Sequence, residues 1–132
     1  MWKYFRKLLP AHGGSDPGAV YQGRREKDDN LQLALDVGRI LEKNGIDVVY
    51  TRTTDEYQTP FEKAKLANES GADYFISFHR NSSPSDNQYE GVEVLVYDKN
   101  GIKYDMAQNI VGALGEVGFR ELGVKERPGL VV

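Results

Sequence analysis

Hydrophobic and polar positions along this chain change rhythm repeatedly, and the changes mark out its elements. From about residue 30 to 44, Leu31, Ala34, Leu35, Gly38 and Leu41 recur every three or four positions, and Leu33, Val37 and Ile40 widen the stripe. That spacing predicts a helix with one apolar face. Asp29 or Asn30 can cap its start and Gly45 supplies its stop. A second helix is announced by Thr59-Pro60-Phe61-Glu62. Thr59 caps, Pro60 sits in the first turn where a missing N–H costs nothing, and Glu62 reaches back to complete a capping box. This helix ends at Gly71. A third runs from Ile102 to about Val117, with Met106, Ile110, Ala113, Leu114 and Val117 on one side.

Between the helices lie runs rich in β-branched and aromatic residues, which predict strands over 46–51, 73–79 and 91–97. Residues 4–9 form a weaker candidate, interrupted by Arg6 and Lys7 and ended by Pro10, and residues 130–132 look like the opening of one more strand. Residues 11–26, rich in glycine and charge, read as a long functional loop. The order predicts an α/β three-layer sandwich, a mostly parallel central sheet with helices on both faces. Ligands of such sheets bind at the C-terminal ends of the strands. His79 closes one predicted strand and His12 follows another, so both fall on that edge.

Composition narrows the chemistry. The 132 residues suffice for one core, 39% are apolar and 28% charged, and 20 acids against 17 bases leave a net charge of −3. No basic face suggests nucleic acid, and no apolar run is long enough to span a bilayer. The opening MWKYFRKLLP lacks an apolar core of signal-peptide length, so no signal peptide is read there. Cysteine is absent, which removes disulfides and thiolate ligands and leaves histidine and carboxylate for any metal.

Two histidines exist, His12 and His79. Two imidazoles and one carboxylate with an open fourth position form a ligand set of catalytic zinc, which supplies a water acidic enough to ionise near neutral pH. Glu26, just ahead of the first long helix, is a candidate third ligand. A histidine at a strand end also serves as a hydrogen-bonded surface residue, and a glutamate opening a helix as a solvated acid favourable to the dipole. These residues alone leave both readings open.

The segments AHGGSDPGAV, REKDDNLQLAL, TRTTD, KAKLANESGADYFISFHRNSS and GVEVLVY carry a resemblance. Together they resemble the zinc-dependent N-acetylmuramoyl-L-alanine amidases, a family shared by bacterial autolysins and phage lysins, from about residue 11 to the C-terminus. A histidine in HGGxDPGA, a glutamate ahead of D-x-N-L and a histidine in S-x-H-x-N-S stand in family order. The resemblance implies that His12, Glu26 and His79 hold Zn2+ in a hydrolase that cuts the amide between N-acetylmuramic acid and L-alanine. It implies peptidoglycan as partner and an extracellular, cell-wall or periplasmic location; a monomer is expected. Gly13 and Gly14 are read as letting the loop approach the metal, and Asp16 and Pro17 as shaping it. Asn81 and Ser82 either fix the His79 loop or touch substrate. Arg52 and Arg80 are expected to be solvated or to meet a stem carboxylate.

The family pattern is departed from in two places. Its general base is a glutamate in a context like V-E-x-G-F on a last strand, a position beyond Val132, so the catalytic base is unassigned here. Gly115-Glu116-Val117-Gly118-Phe119 imitates the wording, but Glu116 falls on the third predicted helix, where an exposed acid is expected. Leu9-Pro10-Ala11 stands where an acidic or Asn residue and a Gly lead into the first histidine, which puts the support of His12 in question. The expectation is therefore one amidase-like catalytic domain over residues 1–132, short of the family's C-terminal strand and helix. It should bind zinc and hydrolyse weakly, because losing a positioned acid–base group typically costs about 10²–10⁴ in rate. The alternative from another class is a non-catalytic, zinc-containing peptidoglycan-binding module. Phosphate binding by the glycine-rich loop fails on spacing, as neither Gly-x-Gly-x-x-Gly nor a Gly-Lys-Ser/Thr element is present.

Overall fold

The computed structural model describes residues 5–10 (backbone only), 12–81 and 90–129. The strand expected over 130–132 and the role expected of Ser82 lie outside them. The fold is mixed α/β, and the described chain falls into two compact units, one ending at residue 81 and one spanning 90–129.

The first unit is built on a three-stranded parallel sheet in the order β4 (Asp47–Tyr50), β1 (Phe5–Pro10), β5 (Tyr74–Phe78). The register pairs Leu8 with Tyr50 and Pro10 with Phe78, which aligns the three C-terminal ends on one edge. The chain leaves that edge toward His12, toward residues 51–59 and toward His79. The segment read as one long loop, 11–26, contains a hairpin of β2 (Val20–Tyr21) and β3 (Arg24–Arg25), turning on Gln22 and Gly23. Both turn residues have positive φ, 49° and 77°, the conformation of a tight two-residue hairpin.

Helix α1 (Glu26–Lys43) packs on β1 and β4. It starts three residues ahead of the expected Asp29 and has no side-chain cap. Loop carbonyls do the capping instead: Glu26 N–H donates to Ala19 (2.9 Å) and Lys27 N–H to Pro17 (3.1 Å). These bonds satisfy amides that a helix start otherwise leaves open. Its buried residues are Glu26, Lys27, Asn30, Ala34 and Gly38, while Leu33 and Ile40, expected in the apolar stripe, are exposed. At the C-terminus Gly45 N–H bonds to Glu42 and Ile46 N–H to Leu41, a Schellman motif. Gly38 is a packing requirement, since a Cβ there would lie 1.9 Å from the Tyr50 hydroxyl. Helix α2 (Pro60–Glu69) starts as expected, with Glu62 N–H donating to the Thr59 hydroxyl (3.2 Å) and Thr59 N–H to the Glu62 carboxylate (2.7 Å).

The second unit is a parallel pair, β6 (Val92–Val96) and β7 (Glu121–Glu126), joined through α3 (Gly101–Glu116), which packs on both. Its buried positions are Ala107 and Val111. The stripe expected from Met106 to Val117 is therefore rotated, and Ile110 and Val117 are exposed. Strand β7 was not expected. Its sequence ELGVKE offers only Leu122 and Val124 as apolar positions, and its backbone pairs with β6, with Lys125 reaching Glu93 (2.7 Å) across the pair.

Two substitutions test this account. Thr59→Ala should destabilise the protein by about 1 kcal/mol through loss of the capping box, read as a lower urea midpoint at constant slope. Gly38→Val should cost about 1–3 kcal/mol by forcing α1 away from Tyr50, although it replaces a poor helix former.

Candidate metal centre

Glu26, the first residue of α1, is 2% exposed. Its carboxylate is surrounded by donors. Oε2 accepts the Ala19 N–H (2.8 Å), while Oε1 accepts the Arg80 N–H (2.8 Å) and the Asn30 amide (3.3 Å). Burial alone pushes the carboxyl up; the Ala19 and Arg80 amides, the His12 ring and Asn30 outweigh it and hold it below the usual glutamate value. Glu26 is an ionised carboxylate in neutral solution, contrary to the solvated helix-start acid that sequence left open.

His12 arrives from the end of β1 with φ at +61°, a left-handed conformation uncommon outside glycine and maintained only by its surroundings. Its carbonyl accepts the Arg52 Nε–H at 2.9 Å. Its Nδ1 lies 2.7 Å from Asp16 Oδ2, and Asp16 Oδ1 accepts the Gly18 N–H at 3.1 Å. The His12 hydrogen bond is the largest cause of the lowered Asp16 pKa. With Nδ1 engaged by Asp16, Nε2 is the ring atom turned toward Glu26, 3.1 Å from Oε1, and is the one available as a ligand atom. Asp16 thus does more than shape the loop. It orients the ring.

Glycine matters here at a different place from the one expected. A Cβ on Gly18 would lie 2.5 Å from His12 Cδ2 and 2.6 Å from Glu26 Oε2, at φ +65°. Gly13 and Gly14 instead press on Glu56 and Tyr57, against the segment after β4.

His79, directly after β5, brings Nδ1 to 3.4 Å from Glu26 Oε1, with its ring edge-on to His12 at a centroid distance of 5.5 Å. Its side chain is 56% exposed on the open side. Desolvation on the other side pushes its pKa down, Glu26 pulls it up and His12 pushes it down, for a net lowering that favours neutral imidazole. One donor atom each from His12, Glu26 and His79 lie within 4.8 Å of one another. Tetrahedral bonds of roughly 2.1 Å would place ligand atoms about 3.4 Å apart. The separations of 3.1 and 3.4 Å at Glu26 are close to that figure, so these residues fit a divalent ion.

Sequence reasoning missed the groups that hold this arrangement. Arg52, expected to be solvated, is 3% exposed and donates to the carbonyls of His12, Thr54 and Lys27, each at 2.9 Å. Arg80 is likewise engaged, bonding Asp29 (2.7 Å) and the carbonyls of Ala19 and Arg24. Lys27, in the charged run after Glu26, is buried and joins the Gly14 carbonyl (2.8 Å) to Asp55 (2.6 Å). The words that contain them, TRTTD, REKDD and FISFHRNSS, were the available signal, but nothing in a charged residue's neighbours along the chain says that it points inward. Asn81 is exposed, next to Arg80. Glu116 is the exposed last residue of α3, as expected.

The chain has counterparts among known proteins. The family model for N-acetylmuramoyl-L-alanine amidase matches residues 8–132. A sporulation-specific N-acetylmuramoyl-L-alanine amidase of Bacillus subtilis (strain 168) is 36% identical over 120 residues, covering 88% of this chain and 46% of that protein. The N-acetylmuramoyl-L-alanine amidase AmiA of Escherichia coli (strain K12) is 33% identical over 102 residues, 76% of this chain and 35% of the relative. The chain therefore spans less than half the length of these relatives. The crystal structure of an N-acetylmuramoyl-L-alanine amidase from Clostridium difficile 630 superposes with a TM-score of 0.87 at 34% identity, over 95% of this chain and 70% of that one. The chain belongs to the N-acetylmuramoyl-L-alanine amidase family.

Proposed function

We propose that this protein is a zinc-dependent amidase acting on peptidoglycan, with His12, Glu26 and His79 as the ligands of Zn2+. The carrying observation is that the buried, ionised Glu26 meets both histidines of the chain with donor atoms at coordination spacing. Bound zinc would supply an acidic water and polarise the substrate carbonyl. The protein's own residues account for the rest of the centre. Asp16 holds the His12 ring by Nδ1, the Ala19 and Arg80 amides fix the Glu26 carboxylate, and Arg52 holds the backbone from which His12 projects. The bond cut is the amide between the lactyl group of N-acetylmuramic acid and L-alanine.

On this reading the chain is a single catalytic domain of the three-layer α/β class that works as a monomer at the cell wall, outside the cytoplasm. Among the described residues no helix is long and apolar enough to cross a membrane. Asn81 borders the centre and is read as loop support. Near the centre Asp16, Asp29 and Asp55 are each bonded to a ring or a cation, so none of the three is assigned as general base.

Metal content by mass spectrometry is the direct test. The wild type should hold about one zinc per chain and His79→Ala far less, because a three-ligand site reduced to two does not retain the ion. Equal zinc in both would remove the assignment. Asp16→Ala should keep the fold and lower zinc affinity by about 10–100-fold, measured by competition with a chelator. Zinc-loaded protein should release peptide stems from purified walls at a rate above the metal-free form. Zinc and wall binding without any release would support the non-catalytic module instead.

A further inference from the structure

The β2–β3 hairpin is too small to hold its own shape. It has two residues in each strand, all four of them exposed, and a lone two-stranded ribbon is marginal in water. Yet Ala19, which leads into it, is a partner of the buried Glu26 carboxylate. Its N–H donates to Oε2 at 2.8 Å, and its carbonyl accepts the Glu26 N–H at 2.9 Å. A carboxylate partner carried on so short a ribbon needs an anchor from elsewhere in the chain.

Arg80 supplies it. Its Nη2 donates to the carbonyls of Ala19 (2.9 Å) and Arg24 (3.1 Å), and so spans both sides of the hairpin. Its Nη1 donates to Asp29 Oδ2 on α1 at 2.7 Å, while Asp29 Oδ1 accepts Arg24 Nη2 at 3.1 Å. The hairpin is thereby fastened to the helix that begins with Glu26. The Arg80 backbone N–H meanwhile donates to Glu26 Oε1 at 2.8 Å. One residue therefore reaches one carboxylate oxygen directly and the other through the Ala19 peptide.

The two oxygens have different surroundings. Oε1 stands 3.1 Å from His12 Nε2 and 3.4 Å from His79 Nδ1. Oε2 takes the Ala19 N–H, and a Cβ on Gly18 would come within 2.6 Å of it. A carboxylate can give a cation one oxygen or both, and what engages the second oxygen decides which. We propose that the Arg80 side chain is a positioning residue of the metal centre: by clamping Ala19 onto Oε2, it makes Glu26 a one-oxygen ligand through Oε1. This rests on the reading of His12, Glu26 and His79 as zinc ligands. One oxygen from Glu26 keeps the protein's share at three ligands and leaves a fourth position open. Without the guanidinium, Ala19 is left to the short hairpin and Oε2 becomes free to join the ion. Three acceptors on separate segments call for a planar fork, which a lysine does not provide.

Two measurements on wild type, Arg80→Met and Arg80→Lys test this: zinc affinity by chelator competition, and the visible spectrum of the cobalt-loaded protein. Arg80→Met should bind zinc roughly 10–100-fold more weakly, the usual effect of losing a group that orients a ligand. Its cobalt bands should also weaken, because cobalt absorbs less strongly when a fifth ligand atom joins a tetrahedral set. Arg80→Lys should show the same spectral change, since it keeps the charge without the fork, and it carries the test should the Met variant fail to fold. Zinc affinity and a cobalt spectrum like the wild type's in either folded variant would overturn the role of Arg80 and leave the zinc-amidase reading standing. Weaker zinc binding with an unchanged cobalt spectrum would also overturn it, by reducing Arg80 to a support of the loop. If the wild type takes up neither metal, the centre itself is wrong and the proposal falls with it.

Discussion

A carboxylate sealed at the start of a helix is the constraint around which the first unit is organised. Glu26 is almost wholly removed from water and still ionised, and that is tolerable only because every side of it carries a donor. Two of those donors are backbone amides from distant places, Ala19 in the loop after β1 and Arg80 after β5. The helix N-terminus adds its own favourable field. Satisfying this one charge therefore fixes the relative positions of three chain segments, and those are the segments that carry the two histidines.

The loops that converge there have little apolar surface to bury, and charge takes over the task. Arg52 and Arg80 each spread a planar guanidinium over several backbone acceptors, which suits a side chain with five donors in fixed geometry. Lys27 clamps Gly14 and Asp55. Such bonds hold a loop in one conformation without closing the centre to a ligand, as an apolar plug would. The cost appears at His12, whose left-handed backbone persists because Arg52 and Asp16 hold both its carbonyl and its ring.

Local rules made some elements readable. The capping box at Thr59 and Glu62 is complete within four residues, so the start of α2 followed from its own sequence. The stop of α1 at Gly45 is equally local. Where the capping groups come from elsewhere in the chain, the reading slipped, as at the start of α1, whose amides bond to Ala19 and Pro17. Strand β7 and the β2–β3 hairpin exist through pairing with a partner strand, and their side chains carry no strong period of their own.

The sequence by itself determined which side chains could bind a metal, because a chain with two histidines and no cysteine leaves few donor sets, and the motif order singled out His12, Glu26 and His79. It also determined the alternation of strands and helices that puts loops at one sheet edge. Only the tertiary structure decided that Glu26 is buried and ionised, that Asp16 holds the His12 ring by Nδ1, and that Arg52, Arg80 and Lys27 point inward. The reason is physical. A residue's identity states what bonds it can make, whereas its solvation and the approach of groups tens of positions away arise only once the chain has closed on itself.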